Sequence, residues 1–279
     1  PDGTRQDARA AIEAGQTAFP AWAALSHSAR ANYMNKIAEV FERRRMEIVE
    51  AIQAEGGGSF AKGMYETSQV PIIFRAAAGA NYSPIGEVLP SEHGKFSMAV
   101  RYPLGVVSIV SPWNFPAILT SRSLAFIVAL GNTVVLKPSE ETPYCGGLLF
   151  AEIFEEAGIP PGVLNVVTCS RGNVQEVGDE IIENPSVKAI AFTGSTAVGR
   201  SIAAKAGAHL KKCCMELGGK DPLIVCEDAD MERATAAASF GSFMHQGQIC
   251  MSVEKILVHE NIYDEFLAKF IARASKLKV

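Results

Sequence analysis

The segment Val106-Val107-Ser108-Ile109-Val110 decides the fold class, because such a short, almost wholly apolar run is typical of a strand buried on both faces. Three similar segments follow it, and a longer stretch of helical character comes after each. The predicted strands are Val106–Val110, Thr133–Leu136, Val163–Val167 and Ala189–Phe192, and the predicted helices are Thr120–Leu130, Thr142–Ala157, Asn173–Glu183 and Thr196–Ala208. This alternation predicts an α/β fold with a doubly wound parallel sheet, which binds ligands at the carboxyl ends of its strands.

Composition excludes several classes of protein. The 279 residues carry 26 basic and 30 acidic side chains, a net charge of −4, which argues against nucleic acid or an anionic membrane as a partner. The longest apolar stretch, Ala117 to Leu130, contains Arg122, so we expect no transmembrane helix. Six cysteines lack the density of a disulfide scaffold, and no apolar leader precedes the chain, so we expect a cytoplasmic protein.

The segment Gly194–Ser201 follows the fourth predicted strand and is one residue away from a P-loop. Arg200 stands where a P-loop has Lys, and its planar guanidinium is a poor substitute for that compact charge. A P-loop-like nucleotide-binding protein is therefore an alternative interpretation. Gly194 and Ser195 could still face a phosphate at a helix N-terminus. The simpler interpretation of this segment is a strand-to-helix turn with an N-cap residue.

Polar side chains also follow the first two predicted strands. Glu140, after Lys137, could accept hydrogen bonds from a ribose diol and would repel a 2′-phosphate, or it could simply start a helix. Asn114 lies between two prolines, where its amide could donate to a developing oxyanion. The alternative for that segment is a proline-rich turn around a core Trp113.

Cys250 follows a predicted helix that carries Phe240 and Phe243. A lone cysteine is most often a buried structural residue, and a nucleophilic one needs a base nearby. Glu216, placed among apolar neighbours that would disfavour its charged form, could be that base, or it could be a surface residue at a strand end. The five histidines form no H-E-x-x-H motif, and the adjacent Cys213 and Cys214 point apart on a strand, so we expect no metal site.

Taken together and in chain order, five segments resemble the NAD(P)-dependent aldehyde dehydrogenases, and the resemblance extends over essentially the whole chain. The segments are Pro112–Pro116, Lys137–Glu140, Phe192–Thr196, Glu216–Lys220 and Gly247–Cys250. The resemblance implies that Cys250 is the nucleophile and Glu216 the general base that activates water. It also implies that Asn114 and the backbone N–H of Cys250 form the oxyanion hole.

The same resemblance implies a cofactor site. Trp113 would line it, Lys137 and Glu140 would contact the adenosine ribose, and Gly194 and Ser195 would face the pyrophosphate. Glu140 makes NAD the expected cofactor, with NADP as the alternative.

The family's architecture implies three parts in this chain. Residues 1–95 would be the helical N-terminal part of the cofactor domain, and residues 96–212 the Rossmann-like NAD-binding domain. Residues 213–279 would begin a catalytic domain that is incomplete. Phe96 to Tyr102 resembles part of the oligomerisation sheet of the family, and we expect its partner strand to be missing. A homo-oligomer is expected for the full-length form.

The stretch His245–Ser252 resembles the branch that acts on benzaldehyde, vanillin and salicylaldehyde, although that branch usually has Arg where Lys255 stands. We therefore expect an aromatic aldehyde substrate, oxidised to the acid through a thiohemiacetal and a thioester on cysteine. Only 29 residues (279 − 250) follow Cys250, far fewer than in the family, so the chain is expected to be C-terminally truncated. A catalytically silent cofactor-binding protein is a further alternative.

Overall fold

The computed structural model describes residues 2–278, which divide into two compact units. The first unit ends at Glu216 and the second begins at Leu217. Within the described residues, no helix combines the length and the apolar character that crossing a bilayer requires.

The first unit opens with four helices, and side chains at their ends explain their bounds. Thr4 and Asp7 form a capping box at the start of the first helix, Ser26 and Ser59 cap the second and fourth, and Gly57 ends the third at a φ of 60°. The helices are α1 (Arg5–Ala23), α2 (His27–Arg43), α3 (Arg45–Gly56) and α4 (Phe60–Ala80).

A two-stranded hairpin follows the four helices. Strand β1 (Gly86–Leu89) pairs antiparallel with β2 (Ser97–Val100). The expectation that the partner of the Phe96–Tyr102 segment is missing was therefore wrong, because β1 supplies that partner from within the region expected to be helical. Hydrophobic side chains on both strands are exposed, including Val88 and Met98.

The predicted parallel sheet is confirmed. It has five strands, one more than the four predicted from the sequence. Its five strands lie in the order β5-β4-β3-β6-β7, and every neighbouring pair is parallel. They are β3 (Val106–Val110), β4 (Thr133–Lys137), β5 (Leu164–Val166), β6 (Val187–Thr193) and β7 (Lys212–Glu216). Every residue of β4 is buried, as are the first four of β3, which agrees with strands covered on both faces.

The helices between these strands are close to prediction, with two differences. Helix α5 begins at Pro116, four residues before the predicted start. The predicted helix Thr142–Ala157 is interrupted, because Tyr144–Leu148 forms a π-helical turn before α6. The helices are α5 (Pro116–Ala129), α6 (Leu149–Glu156), α7 (Val174–Glu183) and α8 (Thr196–Ala208).

Buried aromatic rings hold the helices of the first unit together. Phe41 of α2 lies 5.7 Å from Phe74 of α4 and 5.2 Å from Phe150 of α6, measured between ring centroids, and all three side chains are almost completely buried. A second apolar cluster joins α1 and α7 to the sheet through Ile12, Val177 and their neighbours.

The second unit contains a small parallel pair of strands, β8 (Asp221–Val225) and β9 (Val253–Val258). Helices α9 (Met231–Phe243) and α10 (Tyr263–Ala274) pack with them around a core of Val225, Ala238 and Phe266. A turn at Met244–Gly247 and a short 3₁₀ turn at Glu260–Ile262 connect these elements.

Candidate functional site

The strand order places the candidate residues of the first unit at one edge of the sheet. Strands β4 and β5 lie to one side of β3, whereas β6 and β7 lie to the other side, so the winding reverses between β3 and β6. Ligands bind at the carboxyl end of such a reversal. The pairing of Val110 with Lys137 and Phe192, and of Thr193 with Glu216, shows that these strands end level with one another.

Strand β4 ends at a buried cation, Lys137, and an acidic side chain, Glu140, follows three residues later. Lys137 is almost completely buried, and its Nζ donates to the carbonyl of Pro138 at 3.0 Å and lies 3.9 Å from Glu140 Oε2. Burial by itself would raise the pKa of Glu140. The backbone N–H of Glu140 and the cations Lys137 and Arg171 outweigh that effect and lower the pKa, which keeps Glu140 anionic. An anionic carboxylate at a strand end is suited to accept hydrogen bonds from a ribose diol.

The turn after β6 is tight and leads directly into α8. The backbone N–H of Gly194 donates to the carbonyl of Glu216 at 3.0 Å, and a Cβ on Gly194 would lie 2.6 Å from the ring of Phe192. Ser195 is the N-cap of α8, because its Oγ accepts from the N–H of Val198 at 3.4 Å. The turn is thus an N-capped strand-to-helix connection, and the role of Gly194 and Ser195 toward a pyrophosphate stays a prediction.

Asn114 lies in the loop between β3 and α5, and its Oδ1 accepts from the backbone N–H of Phe115 at 3.0 Å. This bond uses the amide oxygen of Asn114 as an acceptor. The amide nitrogen is the donor that an oxyanion would need. Trp113 beside it is 37% exposed and is therefore not a core residue. The alternative interpretation, a proline-rich turn around a core Trp113, was wrong.

A buried ion pair supports the loop that carries Asn114, and sequence reasoning missed it. Lys62 and Glu66 lie on α4 with their charged groups 2.6 Å apart, exposed by only 4% and 0%. Glu66 Oε2 accepts from the N–H groups of Ala117 and Ile118, at 3.0 and 3.2 Å.

Helix α5 has no capping side chain of its own, so Glu66 performs that function from another helix. The Lys62 ammonium also lies 4.6 Å from the ring centroid of Phe115. Burial raises the pKa of Glu66, an effect that Lys62 and the two backbone N–H groups oppose. The available signal was the pair of opposite charges at Lys62 and Glu66, four residues apart on one face of α4.

Glu216 ends β7 and is exposed. The prediction that apolar neighbours surround this carboxylate was wrong, and the structure agrees with the alternative of a surface residue at a strand end. Its role as a base stays a prediction.

Cys250 belongs to the second unit and is exposed, so it is not a buried structural cysteine. It follows a turn in which His245 and Gln246 have φ values of 48° and 56°, a conformation uncommon for residues other than glycine, and Gly247 continues it at 72°. Its role as nucleophile stays a prediction. Across residues 2–278 no group of three or more His, Cys, Asp or Glu side chains could hold a metal ion.

Comparison with known proteins decides the family. The model of the aldehyde dehydrogenase family matches residues 1–279. The chain belongs to this family. A vanillin dehydrogenase from an Amycolatopsis strain is 43% identical over 274 residues, which are 98% of this chain and 56% of that protein.

Solved aldehyde dehydrogenase structures agree with the fold. A salicylaldehyde dehydrogenase from Pseudomonas putida G7, complexed with salicylaldehyde, has a TM-score of 0.97 and 40% identity, covering 100% of this chain and 57% of that one. An NAD-dependent benzaldehyde dehydrogenase from Corynebacterium glutamicum has a TM-score of 0.93 and 39% identity, covering 99% of this chain and 60% of that one. The chain thus spans little more than half the length of these relatives. None of these similarities supports the P-loop alternative.

Proposed function

We propose that this chain belongs to an enzyme that oxidises an aromatic aldehyde to the carboxylic acid with NAD. The observation that carries the proposal is the set of side chains at the carboxyl edge of the sheet, where Lys137 ends β4, Glu140 follows it and Asn114 follows the neighbouring strand β3. Vanillin, salicylaldehyde and benzaldehyde, the aldehydes in the names of the three relatives, share an aromatic ring, which supports the substrate class.

The donor set of the first unit fits a dinucleotide. Glu140 would accept from the adenosine ribose, the buried ammonium of Lys137 would balance that charge, and the N-terminus of α8 at Ser195 would face the pyrophosphate. Trp113 would line the same site. When bound, NAD accepts a hydride.

The catalytic roles follow the chemistry of the side chains. The thiolate of Cys250 would attack the aldehyde carbon and form a C–S bond, and the amide of Asn114 would donate to the resulting oxyanion. Loss of hydride from that carbon leaves a thioester. Glu216 would take a proton from water, whose oxygen displaces the thiolate and releases the acid.

Assembly and location are part of the same proposal. The exposed apolar side chains of the β1–β2 hairpin would join a second copy of the chain in a homo-oligomer. All six cysteines are free thiols, which fits a reducing compartment such as the cytoplasm.

The test is NADH formation by the purified 279-residue chain with benzaldehyde, followed by absorbance. We expect C250A to abolish it, because no other group would form the thioester. The matched control is C226A, which removes another exposed cysteine of the second unit and should leave the rate unchanged. An unchanged rate in C250A would overturn the catalytic assignment, and no turnover by the wild-type chain would show that this chain does not carry the activity by itself.

A further inference from the structure

Arg171 contacts the carboxylate proposed to bind the adenosine ribose. It lies in the loop between β5 and α7, where its Nε donates to Glu140 Oε1 at 3.2 Å and its Nη2 lies 3.9 Å from Glu141 Oε1. The Arg171 side chain is 82% exposed, so most of the guanidinium faces solvent. A cation with five N–H donors is thereby held at the edge of the proposed nucleotide site.

The charges around Glu140 differ from those of a lone acidic residue at a strand end. A lone carboxylate there repels a 2′-phosphate, which favours NAD over NADP. Here Glu140 lies between Lys137, at 3.9 Å, and Arg171, at 3.2 Å. Two cations therefore face this carboxylate, and Glu141, 3.9 Å from Arg171, balances only part of their charge.

We propose that Arg171 binds the 2′-phosphate of NADP, so that the site accepts NADP as well as NAD. A 2′-phosphate stands on the hydroxyl that Glu140 would otherwise bind, and Arg171 already contacts Glu140. The guanidinium fork can exchange its carboxylate partner for a phosphate with little movement of the chain. This inference rests on the proposed cofactor site and adds to it a residue that determines cofactor specificity.

The test compares two nucleotides that differ only in the 2′-phosphate, adenosine 2′,5′-bisphosphate and 5′-AMP. Isothermal titration of the 279-residue chain gives the Kd of each, without any need for turnover. We expect the wild-type chain to bind the bisphosphate at least as tightly as 5′-AMP. In R171A the bisphosphate should bind about tenfold to a hundredfold more weakly, the range expected when a hydrogen bond to a charged group is lost, whereas the Kd of 5′-AMP should stay the same.

The matched control is R75A. Arg75 is also an exposed arginine paired with a glutamate, Glu42, but it lies on α4, and its removal changes the net charge equally. We expect R75A to leave both Kd values unchanged. An R171A variant that keeps the wild-type ratio of the two Kd values, or a wild-type chain that binds 5′-AMP but rejects the bisphosphate, overturns the role of Arg171 alone. Failure of the wild-type chain to bind either nucleotide overturns the proposed cofactor site, and this inference with it.

Discussion

The two units of this chain differ in how much apolar surface they bury by themselves. The first unit encloses packed aromatic rings such as Phe41, Phe74 and Phe150 and a sheet whose central strands are almost entirely buried. The second has a core of three buried residues and leaves Ile224 and Phe240 about two-thirds exposed. The proposed cofactor site therefore stands on a scaffold with its own buried core, whereas the proposed nucleophile Cys250 stands on a unit with only a small one.

The largest expected effect comes from separating the units. A polypeptide of residues 1–216 should unfold cooperatively in urea, because the core described above lies within it. A polypeptide of residues 217–279 should show no cooperative transition, since so small a core cannot offset the loss of chain entropy. Far-UV circular dichroism during urea titration measures both. A cooperative transition in the shorter polypeptide would remove the contrast between the units.

A second prediction compares the buried cap of α5 with the exposed cap of α9. The variant E66A leaves the Lys62 ammonium buried without its partner, and we expect a loss of about 3–5 kcal/mol in the free energy of unfolding of the first unit. Both tryptophans of the chain, Trp22 and Trp113, belong to this unit, so tryptophan fluorescence during urea unfolding reports on it alone.

The matched variant in the second unit is D230A. Asp230 is exposed, unlike Glu66, and it caps its own helix α9 by accepting from the N–H of Arg233 at 2.9 Å. Removing this cap should lower the free energy of unfolding by about 1 kcal/mol. Hydrogen exchange of the α9 amides measures it. Equal losses in the two variants would show that burial of the Glu66 pair adds nothing to its capping role.

The same contrast explains what sequence could predict. The buried pattern of Val106–Val110 and its repeats is local, and it predicted the parallel sheet and the carboxyl edge that carries Lys137 and Glu140. The early start of α5 depends on Glu66, which lies 51 residues before Ala117, and no local pattern encodes that bond. The π-helical turn likewise packs Gly147 so closely on Pro138 that a Cβ would lie 2.5 Å from the proline ring.

The surroundings of Glu216 and Cys250 were harder to predict for a related reason. Apolar neighbours in sequence suggested a buried carboxylate, but β7 is an edge strand with most of its residues exposed, and the small core of the second unit does not cover Cys250, so both side chains are exposed. Burial depends on what packs over a strand or turn, and sequence spacing alone does not specify it.

The smallest expected effect concerns ion pairs and depends on pH. Glu180 of α7 is almost completely buried and binds Arg9 of α1 through two hydrogen bonds, at 2.9 and 3.0 Å. These bonds lower the pKa of Glu180 below its ordinary value of 4.5, so the folded state favours the carboxylate. The stability from this group is therefore present above about pH 4.5 and is lost as the pH falls through the lowered pKa of the folded state.

The variant E180Q should lower the free energy of unfolding of the first unit by about 1 kcal/mol at neutral pH, and the difference from wild type should shrink on acidification. Tryptophan fluorescence during urea unfolding at successively lower pH measures it. The matched variant in the second unit is E232Q, followed by hydrogen exchange of the α9 amides. Glu232 pairs with Arg273 and Lys269 but is 71% exposed, so screening by water should leave its effect close to zero. A loss in E180Q that stays constant with pH would mean that shape, rather than charge, ties α1 to α7.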